Sequence, residues 1–141
     1  MFLSRKPSTI PSPAEALAGR AQKMPVPDEH FVNRNPIEGP FPAGMQQITL
    51  GMGCFWGAER SFWQMQGVYT TAVGYCGGHT PNPSYEEVCS GRTGHNEVVL
   101  VVFDPQKVSL ESILKALGDP KRMKVSLRLG FGRVALIVGL K

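Results

Sequence analysis

No stretch of the 141 residues is apolar for eighteen residues or more, so the sequence holds no membrane-spanning helix. The opening Met1-Phe-Leu-Ser-Arg-Lys-Pro7 has a basic pair but no apolar segment behind it, so a secretory leader is not expected. Cysteine is scarce. Cys54, Cys76 and Cys89 are odd in number, irregularly spaced and without a CxxC pair, which excludes a disulfide scaffold and the usual zinc pattern. Free thiols in a reducing compartment fit this usage, and a cytoplasmic location is expected, with a mitochondrial one kept open. Gly74-Tyr-Cys-Gly-Gly-His79 lacks both the GxGxxG spacing and the Lys-Ser/Thr of a phosphate loop. There are no internal repeats. Acidic residues are nearly missing from the end of the chain. Residues 1–115 carry nine Lys and Arg against ten Asp and Glu, a net of −1, whereas residues 116–141 carry six against one, a net of +5. The overall +4 is therefore a property of the tail, and no nucleic-acid surface is expected on the domain.

What is present falls into three parts. Residues 1–44 are rich in proline, from Pro7 to Pro42, and read as an extended, partly disordered arm that wraps the domain. Residues 45–117 carry the alternation of a folded core, and 118–141 form a divergent basic tail. Within the core, strands are predicted over 46–51 and 68–74, flanking a helix over 55–66. A loop rich in glycine and proline follows, with a short helical piece at Tyr85–Cys89. The near-continuous apolar run Asn96–Phe103 reads as a central buried strand. Ser109 is placed to cap a helix with Leu110, Ile113, Leu114 and Leu117 on one face, and Gly118 to stop it. The order predicts an α+β fold with a ferredoxin-like split βαβ core and a mixed sheet, incomplete at its C-terminal end. Such a fold needs a strand after its last helix, and Val134-Ala-Leu-Ile-Val138 is the candidate.

Gly51-Met-Gly-Cys-Phe-Trp-Gly-Ala-Glu-Arg-Ser-Phe-Trp63 carries the chemistry. Cys54 stands at a strand-to-helix turn, where unpaired backbone N–H groups and the helix dipole favour a thiolate. A buried structural thiol is the competing reading. The glycines on either side and the helix start favour a nucleophile. Glu97, at the head of the apolar strand, is a candidate general acid if it shares an apolar pocket with Cys54, since burial would raise its pKa. Otherwise it is a solvated strand end. Tyr85 is a candidate to bind a substrate oxygen, or simply a packing phenol. Phe55 and Trp56 provide an apolar wall beside the sulfur, or ordinary core. His79 and His95 read as solvated loop residues, and nothing in the spacing supports a Cys54/His95 dyad.

These segments resemble the A-type peptide methionine sulfoxide reductases, which carry a GCFWG signature. The resemblance runs on through Gly67–Thr80, Asn82–Cys89, Thr93–Val99 and Phe103-Asp-Pro105, and covers about residues 40–115. It implies that Cys54 attacks the sulfoxide sulfur, Glu97 protonates the departing oxygen, Tyr85 holds that oxygen, and Phe55 and Trp56 receive the substrate methyl group. It also implies a sulfenic acid on Cys54, no bound cofactor or metal, and recycling by an external thiol such as thioredoxin or dithiothreitol. The expected partners are oxidised proteins or free methionine sulfoxide, with no nucleic acid and no membrane, and the expected state is a monomer. After Lys115 the sequence departs from the family, whose Asn-His-Asp-Pro-like and Gly-Thr-Gln-Tyr-Arg-Ser-like segments and C-terminal cysteines are absent. This implies a truncated or alternatively spliced form, with Cys89 or Cys76 left to resolve the sulfenic acid. The rival readings are a non-catalytic binder of oxidised peptides and a thiol redox sensor.

Overall fold

A computed structural model describes residues 9–51, 55–116, 126–128 and 135–136; for 55–58, 126–128 and 135–136 it describes the backbone. The elements are β1 (Gln46–Gly51), α1 (Phe55–Trp63), β2 (Val68–Cys76), α2 (Tyr85–Cys89), β3 (Asn96–Phe103), α3 (Leu110–Lys115), β4 (Ser126–Arg128) and β5 (Ala135–Leu136). They build one sheet in the order β4-β1-β3-β2-β5. β1 and β2 lie either side of β3, so α1 joins two strands that run the same way with a third between them, which is the split βαβ expected of an α+β chain. Neighbouring strands pair antiparallel in every described ladder, and β1 and β2 run parallel to each other with β3 between them.

The chain alternates as the pleat requires. Ile48 and Leu50 of β1, Val73 and Tyr75 of β2, and Val99, Val101 and Phe103 of β3 share one face. Phe62 of α1, Val88 of α2, and Val108 and Ile113 at α3 close over them. The opposite face presents Ala72, Leu100 and Val102. Ile37 from the proline-rich segment covers it, with Val26, Phe41 and Met45 beside it. Both faces of β3 are thus out of water, which is why that strand reads as an unbroken apolar run. Burying a side chain such as Ile37 contributes about 1.5–3 kcal/mol.

Element ends differ from the periodicity for local reasons. α1 stops at Trp63 rather than at residue 66, because the chain turns through Gly67 at φ +95° to enter β2. A Cβ on Gly67 would also lie 2.9 Å from a Val108 methyl, so a side chain has no room there. β2 runs two residues beyond the expected 68–74, to Cys76, because Tyr75 and Cys76 pair with Glu97 and Asn96 of β3. Ser109 caps α3, its hydroxyl accepting from the Ser112 N–H at 3.1 Å. The expected stop at Gly118 lies outside the described residues.

Two short strands follow α3, and the expected run at 134–138 supplies the second of them. The position beside β1 is taken by Ser126–Arg128, not by the run at 134–138, of which Ala135–Leu136 pairs with β2 at the far edge. Val125-Ser-Leu-Arg-Leu129 alternates apolar and polar residues, the period of a half-buried strand, and the longer apolar run at 134–138 outweighs it in the sequence.

Candidate active site

Glu97 opens the buried part of β3 on the face covered by helices. Directly across the ladder stands Tyr75, which is completely buried. Burial is the first cause pushing the Tyr75 phenol well above its ordinary value, and the acidic groups of Glu97, Cys89 and Tyr85 are near enough to push it further. Acidic groups from β2, β3 and α2 therefore gather at one end of the sheet. Tyr85, the first residue of α2, is exposed, while Val88 one turn on is buried and pins the helix to the core. Cys89 closes that helix and is half-buried. The structure thus brings Glu97, Tyr85 and Cys89 together around Tyr75, a residue to which the sequence reading assigned no role. Its signal is the strand period: with Glu97 at the start of β3, the antiparallel partner strand must place a residue near its own end, within 74–76, opposite.

Cys76 is the other half-buried free thiol. It pairs with Asn96 and follows Tyr75 along the strand, so alternation turns it to the opposite face from Tyr75 and Glu97. Cys54 lies outside the described residues, as do the side chains of Phe55 and Trp56. Gly51 and Phe55, on either side of Cys54 in the sequence, are placed. Gly51 pairs with Val98, next to Glu97, and Phe55 opens α1, which packs on β2 and β3.

The loops at this end are tied to one another by backbone. The Gly78 N–H donates to His95 Nδ1 at 3.0 Å, and His95 Nε2 lies 2.8 Å from the Thr80 carbonyl. The imidazole accepts at Nδ1 and is paired at Nε2, so both nitrogens are engaged. His95 is half-buried rather than solvated, and it has no nitrogen left to serve a thiol. His79 is exposed, as read from the sequence. A Cβ on Gly78 would fall 2.4 Å from the His95 backbone nitrogen and from the Thr93 carbonyl oxygen, so that glycine serves a close loop contact.

A buried polar chain underlies α1. His30 Nδ1 accepts from the Val32 and Asn33 N–H groups, which leaves its proton on Nε2. Nε2 donates to Thr71 Oγ1 at 2.8 Å, and Thr71 in turn donates to Glu59 Oε1 at 2.9 Å. The ring edge of His30 packs against Trp63 with centroids 5.7 Å apart. His30 is anonymous within the proline-rich arm, but Glu59 leaves a trace: it sits four residues after Phe55 and three before Phe62, a carboxylate on the apolar stripe. Among the described residues no group of three or more His, Cys, Asp or Glu could hold a metal, and no helix is long and apolar enough to cross a membrane.

Comparison with known proteins gives a consistent result. The family model of peptide methionine sulfoxide reductase matches residues 46–121. The peptide methionine sulfoxide reductase MsrA 1 of Synechocystis is 58% identical over 125 residues, spanning 89% of this chain and 56% of that one. The MsrA of Azotobacter vinelandii is 67% identical over 110 residues, spanning 78% of this chain and 51% of that one. The solved methionine sulfoxide reductase A of Corynebacterium diphtheriae superposes with a TM-score of 0.69 at 42% identity, covering 77% of this chain and 50% of the other. This chain spans between 51% and 60% of the length of these curated relatives and others like them.

Proposed function

This chain belongs to the peptide methionine sulfoxide reductase family, and from that membership we propose that it reduces methionine-S-sulfoxide, free or in proteins, to methionine. The Cys54 thiolate attacks the sulfoxide sulfur. Glu97 gives a proton to the oxygen, a poor leaving group until it is protonated. Tyr85 holds that oxygen by its hydroxyl, and Phe55 and Trp56 receive the methyl group. The sulfoxide sulfur gains two electrons, the oxygen passes to Cys54, and the products are methionine and a sulfenic acid. A second thiol condenses with the sulfenic acid, releasing water and forming a disulfide. That thiol is Cys89, Cys76 or an external one; the place of Cys89 on the Glu97 side of the sheet supports Cys89, since Cys76 turns to the other face. Thioredoxin or a small dithiol then restores Cys54. All of this is thiol chemistry on the chain's own residues, with no bound cofactor, by a monomer in the reducing cytoplasm.

The observation that carries this reading is the convergence of Glu97, Tyr85 and Cys89 on the buried Tyr75, beside the strand end that leads into Cys54. The test is incubation with a peptide methionine-S-sulfoxide and dithiothreitol, with the product followed by mass spectrometry. Methionine is expected from the parent and none from Cys54→Ser. A parent that forms no methionine refutes the reading.

A further inference from the structure

α2 has five residues, too few to be stable as a helix by themselves. It nevertheless carries Tyr85 at its first position and Cys89 at its last. Of these five residues only Val88 is buried, so a single apolar anchor of the helix reaches the core. Further fixation comes from the N-terminal segment, more than sixty residues earlier.

The Arg20 guanidinium grips the loop and the helix together. Its NH2 nitrogen donates to Glu87 Oε1 at 2.9 Å, while NH1 donates to Glu87 Oε2 at 3.2 Å and to the Asn82 carbonyl at 2.6 Å. Glu87 is also the third residue of the capping box, accepting from the Ser84 N–H at 2.8 Å. One carboxylate thus joins the helix start to the arm. Asn82, in the left-handed region at φ +45°, donates from Nδ2 to the Arg20 and Ala21 carbonyls at 2.9 and 3.2 Å. The Arg20 N–H donates to the Pro81 carbonyl at 3.1 Å, and Thr80 Oγ1 to the Leu17 carbonyl at 2.8 Å. The two segments touch so closely that a Cβ on Gly19, itself at φ +64°, would lie 2.1 Å from the Pro81 oxygen.

We propose that Arg20 is a positioning residue: with Gly19 and Asn82 it locks the arm onto the 80–87 loop and so sets the orientation of Tyr85 toward the substrate oxygen. This rests on the reading of Tyr85 as the group that holds that oxygen. A guanidinium matches a carboxylate with two parallel N–H bonds, which fixes direction as well as distance. Lysine, a point charge, keeps attraction but not direction, and the arm would keep its place while the helix gained freedom to turn. Orienting Tyr85 matters to how well substrate is held, so the effect falls on KM more than on kcat.

The experiment compares the full chain with Arg20→Ala, Arg20→Lys, Gly19→Ala and Tyr85→Phe, by amide hydrogen exchange and by turnover of a peptide methionine-S-sulfoxide with dithiothreitol. Exchange at residues 85–90 is expected to quicken about threefold to tenfold in Arg20→Ala and Gly19→Ala, and by less in Arg20→Lys, with β1 and β3 unchanged. KM should rise about as much while kcat stays within about twofold, and Arg20→Ala should add nothing further in the Tyr85→Phe background. Unchanged exchange at 85–90, or an Arg20→Ala effect that adds fully to that of Tyr85→Phe, overturns the proposal. If the parent chain reduces no sulfoxide, the functional reading fails, and the exchange result alone decides whether Arg20 locks the helix.

Discussion

Replacing Thr71 by valine removes one hydroxyl and keeps the shape of the side chain. That hydroxyl bridges His30 Nε2, at 2.8 Å, and Glu59 Oε1, at 2.9 Å, in a place where all three residues are buried. Without it the imidazole N–H faces the carboxylate from 3.7 Å, too far for a good hydrogen bond. Two buried polar groups then lack their partner, and each such loss costs about 1–3 kcal/mol, so Thr71→Val should destabilise the fold by about 2–6 kcal/mol. For a chain of this size Tm falls by roughly 4 °C per kcal/mol, which makes the shift about 8–24 °C. Thr71→Ser, which keeps the hydroxyl, should lose far less. Adding Glu59→Leu to Thr71→Val should recover part of the loss, since it removes a buried carboxylate that has lost its donor. Urea and thermal unfolding of the three variants measure this directly. A Thr71→Val protein within about 0.5 kcal/mol of the parent would refute the account of this chain as a structural tie between the arm and α1.

Glu97→Gln should slow single-turnover sulfoxide reduction by about 10²–10⁴-fold, and an unchanged rate would remove Glu97 from proton transfer. With thioredoxin as reductant, Cys89→Ser should impair recycling more than Cys76→Ser, because Cys76 turns away from the Glu97 face; the reverse order would contradict the placement. Tyr75 supplies the pH dependence. Its pKa is raised on folding, so the folded chain holds the phenolic proton that the unfolded chain releases near pH 10; its contribution to stability is complete below about pH 10 and is lost as pH rises beyond it. Titration followed at the phenolate absorbance should therefore show one of the three tyrosines ionising only as the chain unfolds in alkali, and three tyrosines titrating together near pH 10 would contradict this.

The α+β class, the strands at 46–51 and 96–103, the short helix at Tyr85–Cys89 and the Ser109 cap were all legible along the chain. These features arise from neighbours in sequence: alternation sets a strand's faces, a three- to four-residue spacing sets a helix stripe, and a hydroxyl caps the turn that follows it. The family resemblance is also carried by local segments, and it makes Cys54, Glu97 and Tyr85 candidates without saying where they lie. Tertiary structure decided what depends on register and on distant segments. Only the ladder puts Tyr75 opposite Glu97 and turns Cys76 away, because a shift of one residue would exchange the two faces. Only the packing of the arm turns His30, Arg20 and Ile37 from residues of a proline-rich stretch into a buried tie, a lock on α2 and the cover of the second face. The edge strands were decided the same way: Ser126–Arg128 found the open edge of β1 and Ala135–Leu136 that of β2, since a strand's partner is chosen by the edge that is free and within reach rather than by the length of its apolar run.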